Sequence, residues 1–222
     1  MTADPLTGAG TGATTRARMI DVAERLFAES GIEAVSLRMV GASADQRNNS
    51  VAQYHFGSKE GLIAAIIAAR SPRIDARRQE LAAELQSSGR PFTPSSLLHL
   101  LVQPLAETIE NTGERTYYLR FLAGVMDHPT FVRNAGSTDS AQPGLRWMHR
   151  ELRTLLPDLP AATFRRRSEW ASLIAFRILA EHERQLAAGT EQAAPTGVVV
   201  PELVTTLVAL MTADQGRGAG LP

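Results

Sequence analysis

Cysteine is absent from the 222 residues, which excludes disulfides, thiolate nucleophiles and cysteine-ligated metals. Net charge is absent too: 23 basic residues balance 23 acidic ones, so no global field draws the chain to nucleic acid or to a membrane surface. No apolar stretch free of charge reaches about 18 residues, the length that a membrane helix needs. The opening MTADPLTGAGTGATT has neither the basic start nor the apolar run of a secretory signal. A cytoplasmic protein is the expectation. Aromatic residues make up only 5% of the chain. Strand-like alternation is almost missing, apart from the short VVV at 198–200. The expected fold is therefore all-α.

What is present is helical periodicity. Residues 1–13 offer little to bury and are expected to form a disordered tail. From Thr14 or Thr15, TRARMIDVAERLFAESG places Met19, Ile20, Ala23, Leu26 and Phe27 on one stripe and stops at Gly31. Ser36 can cap a short second helix, LRMVGASA, with Leu37, Val40 and Ala44 inward and Gly41 and Ala42 allowing close approach. A third helix is expected from about Asn49 to Phe56. Ser58 can cap a fourth, which Pro72 either kinks or divides. Helices near 95–112, 114–126, 143–156, 161–187 and 201–213 complete the pattern, with a flexible tail at 214–222. Residues 14–60 thus form a small unit and residues 61–213 a larger one. A unit of this size is marginal alone, so the fourth helix is expected to dock it firmly.

The segment NNSVAQYHFGSKEGL, residues 48–62, is unusually rich in hydrogen-bonding side chains for its place between two apolar runs. A catalytic reading finds little support. Ser50 and His55 lie about 140° apart around a helix, and no carboxylate is spaced to orient the imidazole. His99, His128, His149 and His182 lack zinc-ligand spacing, and the glycine-rich start lacks the lysine and setting of a phosphate loop. No cofactor, metal or catalytic constellation is expected. A recognition reading fits better, because two short helices joined by a tight turn are the make-up of a helix-turn-helix reader. Asn48, Asn49 and Gln53 suit adenine, while Ser50 and Tyr54 suit phosphate or base edges. Arg47 lies at the turn, and Lys59 opens the next helix beside exposed backbone N–H groups. Solvated polar side chains on a small helix are the plainer alternative. Residues 14–60 hold six basic and six acidic groups, so the acidic ones must lie off any DNA face.

Residues 16–67 resemble the N-terminal domain of the TetR family of bacterial transcriptional regulators. The resemblance rests on AERLFAESG, on SLRMV, and above all on HFGSKEGL, with its His-Phe-x-x-Lys-x-x-Leu pattern. It implies that residues 36–44 support a reading helix and that residues 48–55, His55 included, enter the major groove. Lys59 would touch phosphate. It also implies a C-terminal domain that binds a small effector and dimerises through its last two long helices, releasing operator DNA on effector binding. The turn departs from the family's usual Ala-Gly-Val-Ser: Asp45 and Gln46 replace glycine and valine, and the segment is one residue longer. Asp45 is expected to accept the left-handed backbone that glycine normally supplies.

In the larger unit, 161–187 carries Trp170, Leu173, Ile174 and Ile178, flanked by Phe176 and Leu179. Residues 201–213 begin at Pro201 and carry Leu203, Val204, Leu207, Val208 and Met211. Small Ala171, Ala175 and Thr205 permit close approach. These stripes fit a four-helix homodimer seam or, alternatively, an intrachain core. Arg165–Arg167 reads as a solvated helix start. Tyr117, Tyr118, Phe121, Met126, His128, Trp147 and Met148 are candidate pocket lining for an aromatic or amphipathic ligand, or else core. The leading expectation is a homodimeric, ligand-responsive repressor of double-stranded operator DNA. A helical ligand-binding or interaction module without specific DNA binding, and an all-helical enzyme, are the alternatives.

Overall fold

The structure, a computed structural model, describes residues 7–45, 50–110, 116–126, 142–190 and 193–214. Nine helices occur among them: α1 Thr7–Ser30, α2 Leu37–Ser43, α3 Val51–Phe56, α4 Lys59–Ser87, α5 Pro94–Glu110, α6 Tyr118–Met126, α7 Pro143–Leu155, α8 Ala161–Ala187 and α9 Thr196–Thr212. The protein is all-α, a small three-helix unit followed by a larger helical bundle.

Two boundaries differ from expectation, at α1 and α9, and the choice left open at Pro72 is decided. Helix α1 starts at Thr7, inside the stretch expected to be a disordered tail, because extending an existing helix gains a hydrogen bond for each residue ordered. Helix α4 runs through Pro72 without dividing. Helix α9 starts at Thr196 rather than Pro201, so the VVV run is helical and Pro201 sits inside. Burial of Val200 overrides the weak helix preference of β-branched residues.

The small unit's core is Met19, Ile20, Ala23, Val40, Ala44, Ala52 and Phe56, all buried. It docks on the bundle through two surfaces, not through α4 alone. Phe27 of α1 meets Phe121 of α6 with ring centroids 5.9 Å apart. Arg70 of α4 reaches α1, where it donates to Asp21 at 2.7 Å and to the buried Glu24 at 2.8 Å. Burial raises the Glu24 carboxyl above its ordinary value, against the opposing Arg70 hydrogen bond.

Inside the bundle, two buried carboxylates cap helices that are remote in sequence. Asp75 of α4, 2% exposed, accepts from the N–H groups of Gly144 at 2.9 Å and Leu145 at 3.0 Å, at the start of α7. It also accepts from Arg78 at 2.7 Å, and Arg78 Nε donates to the Leu100 carbonyl of α5 at 3.0 Å. A Cβ on Gly144 would stand 3.0 Å from Asp75 Oδ1, so glycine lets α7 come this close. Glu183 of α8 repeats the device at α6. Its carboxylate accepts from Thr116 Oγ1 at 2.7 Å, the Arg120 N–H at 3.0 Å and Arg120 Nε at 3.1 Å. A negative charge at a helix start satisfies orphan N–H groups and complements the helix dipole.

The stripe expected on α9 as a dimer seam faces the chain's own interior. Leu203, Val204, Leu207 and Met211 are buried, as are Ala171, Ala175 and Leu179 of α8, because α9 packs on α5 and α8. On these two helices the large apolar side chains left exposed are Trp170, Leu173, Ile178 and Leu186 of α8 and Val198 of α9. Arg167 turns from the expected solvated start of α8 to the end of α9, donating to the Met211 and Ala213 carbonyls at 3.0 and 2.7 Å. No described helix is long and apolar enough to cross a membrane.

Candidate functional site

The front of the small unit is built by local capping. Ser36 Oγ accepts from the Met39 N–H at 3.2 Å and starts α2. Helix α2 ends at Ser43 with Ala44 as its C-cap, and Asp45 follows with φ 57°, the left-handed turn position foreseen for it. Arg18 of α1 forms an ion pair with the Asp45 carboxylate. Gln46, Arg47, Asn48 and Asn49 lie outside the described residues, so three of the expected DNA contacts cannot be placed. Helix α3 is described from Val51, with Ser50 before it in helical conformation and making no side-chain cap.

On α3, Ala52 and Phe56 point into the core while Gln53 and Tyr54 point outward. Tyr54 is 86% exposed, which no packing role explains for an aromatic side chain. His55 is half-buried between its neighbours, its ring 5.4 Å from Tyr54 and 6.1 Å from Phe56. Gln53 donates its amide to the Gly57 carbonyl at the end of its own helix, so part of its bonding capacity is used locally.

Lys59 is placed differently from expectation. Its ammonium donates to the carbonyls of Ile32 at 2.9 Å and Glu33 at 3.2 Å. The turn after α1 presents these acceptors, and they hold a cation expected to lie on phosphate. Two of the three donors of a lysine are used this way. Ser58 caps α4, accepting from the Gly61 N–H at 3.0 Å. Gly61 is a residue that sequence reasoning passed over. A Cβ there would lie 2.1 Å from the Phe56 carbonyl oxygen, so only glycine lets α4 start directly against the end of α3.

The unit's charges sort themselves. Asp21 and Glu24 are held by Arg70, and Asp45 by Arg18. Arg38, exposed in the first turn of α2, has no ion-pair partner among the described residues. Arg16 lies over the Phe56 ring, 5.4 Å from its centroid. Both were missed from sequence, where neither belongs to the polar segment.

The side chains expected to line one pocket are dispersed. Phe121 and Met148 are fully buried and Tyr118 nearly so, because α6 packs on α1 and α8, and α7 packs on α4 and α5. Phe121 also stands 6.1 Å from the Tyr118 ring. Burial pushes the Tyr118 phenol up to about 12. Trp147 packs edge-on against Phe92 at 5.6 Å, Met126 is half-buried, and His128 lies outside the described residues. Only Tyr117 and Tyr118 reach a large open cleft of about 1130 Å³, which lies between α1, α4, α5 and the approach to α6. Among the described residues no three His, Asp or Glu side chains gather as a metal ion would require.

With this geometry in place, comparison with known proteins gives one result. Residues 19–66 match a family described as bacterial regulatory proteins, tetR family. The match spans α1 from Met19 through α2 and α3 into the first turns of α4, and supports a DNA-binding regulatory function in general terms. No curated protein matches the chain.

Proposed function

We propose that the protein is a homodimeric transcriptional repressor, rather than an enzyme, that binds double-stranded operator DNA and is released by a small-molecule effector. The observation that carries the reading is α3: a short helix whose inner face is core and whose outer face presents Gln53 and Tyr54, on the unit matched to the family. A major groove admits such a helix, and its base edges pair with amide and hydroxyl side chains. Arg38 supplies a cation for phosphate or guanine. Trp170, Leu173 and Ile178 on α8, with Val198 on α9, offer the apolar surface that a second copy would cover.

The test is selection of bound sequences from a random double-stranded DNA pool with the purified protein. An inverted-repeat site, bound by a dimer in sedimentation analysis, is the expected result. Arg38→Ala should then weaken binding and reduce the salt slope by about one. Failure to enrich any sequence would favour the second reading, a helical ligand-binding or interaction module. That alternative draws on Lys59, whose ammonium is occupied by the Ile32 and Glu33 carbonyls.

A further inference from the structure

We infer that the open cleft between α1 and α4–α6 binds an organic oxyanion with an apolar or aromatic body, and that this anion is the effector; the second half rests on the regulator reading above. The side chains left unpartnered inside the cleft point to the sign of the ligand. Every carboxylate in its wall is already held by an arginine. Asp21 and Glu24 take the two arms of Arg70 at 2.7 and 2.8 Å. Glu80 and Glu107 take Arg77 at 3.1 and 2.8 Å, and Glu107 also accepts from Gln103 at 3.0 Å. For Glu107, burial alone would raise the carboxyl, yet these bonds bring it below its ordinary value. The wall holds four arginines, and Arg25 and Arg73 make neither ion pair nor hydrogen bond among the described residues. The wall's formal charges cancel, but its carboxylates share Arg70 and Arg77, so the groups left without a protein partner are two guanidiniums, on two different helices, α1 and α4.

A guanidinium fork matches the two coplanar oxygens of a carboxylate, sulfonate or phosphate. Exposed arginines alone hold an inorganic anion weakly in water, so affinity has to come from burial of an apolar body. Val22, Ile74, Pro104 and Tyr117 give the cleft that surface, and about 1130 Å³ leaves ample room for it. Because one wall is α1 of the DNA-binding unit and the other belongs to the bundle, a bound anion touches both. Its affinity and the affinity for DNA must then change each other by the same factor.

The test uses two fluorescent probes with the same ring system, the anionic 8-anilinonaphthalene-1-sulfonate and the uncharged N-phenyl-1-naphthylamine. Each is titrated into the full-length protein and into the Arg25→Gln/Arg73→Gln variant, whose altered side chains are exposed and whose fold is checked by circular dichroism. The sulfonate should bind the wild type and lose roughly tenfold or more in affinity in the variant, the scale of a charge-assisted bidentate contact. The uncharged probe should bind both proteins alike. An Arg25→Lys/Arg73→Lys variant should recover part of the loss. Equal sulfonate affinity in wild type and glutamine variant, or no sulfonate binding to the wild type, overturns the inference. The two readings fail separately. If DNA selection succeeds while sulfonate binding ignores both arginines, the regulator stands and the anion cleft falls. If no DNA is enriched while the arginine dependence holds, the cleft stands and its role as an effector site falls.

Discussion

The small N-terminal unit and the bundle handle polar side chains in opposite ways. In the small unit, the buried Glu24 apart, they lie toward the surface and bond to nearer chain: Gln53 to Gly57, Arg18 to Asp45 across 27 residues, Lys59 to Ile32 across 27. In the bundle the decisive ones are buried and bond across far greater separations. Asp75 reaches Gly144 across 69 residues and Glu183 reaches Arg120 across 63. The first arrangement leaves a face free to be covered by something else. The second spends polar groups on fixing where α6 and α7 begin, since a buried carboxylate without its donors would be strongly destabilising.

The sharpest way to break this comparison is to remove one carboxylate from each side. Asp75→Ala leaves the buried Arg78 guanidinium without its counter-charge and two helix-start N–H groups without an acceptor, and should cost about 3–5 kcal/mol in urea unfolding. Asp45→Asn removes a pair whose side chains are 57% and 76% exposed and should cost no more than about 1 kcal/mol. Similar losses at both positions would sink the distinction. Gly61→Ala comes next: pushing a methyl against the Phe56 carbonyl should cost about 1–3 kcal/mol or more, the range for overpacking. Its DNA affinity should fall as well, because α3 must move. Gly41→Ala should act the other way. Its Cβ would meet only Ala52 Cβ, at 3.8 Å, so thermal unfolding should show a gain of about 0.4–1 kcal/mol.

The smallest effect concerns pH. Burial lowers the His99 imidazole on α5 from its ordinary 6.5, against the opposing charge of Glu107. Below about 6.5 the unfolded chain therefore binds a proton that the native protein does not. Stability should decline as pH falls from there toward the lowered native value. His99→Gln should flatten that decline, and an unchanged slope between pH 6.5 and 5 would remove His99 from the account.

What could be read from sequence follows the same divide. Ser36 and Ser58 were legible as caps because a cap's partner is three residues away. Asp45 was legible because a turn position constrains its own backbone. Gly61 was not, since its reason lies in how α4 meets α3 in space. The stripe on α9 was found, but an apolar stripe looks the same whether it meets its own bundle or a second copy. Tyr118, Phe121 and Met148 were ambiguous for a related cause: aromatic and sulfur-bearing side chains suit a pocket wall and a packed core equally. Asp75 and Glu183 carried no local sign of their role. Their partners are N–H groups at the starts of helices remote along the chain.

The turn at Asp45 gives the protein a second sensitivity to ionic strength. Where glycine would take left-handed backbone without cost, this chain uses a charged residue tethered to Arg18 on its surface. Salt screens such a tether, and it does so in the free protein. Counterion release from DNA, the other salt effect, exists only in the complex. Amide exchange around residues 42–45 measured without DNA should therefore quicken as salt rises, so that part of any ionic-strength dependence of operator binding belongs to the reader and not to the duplex.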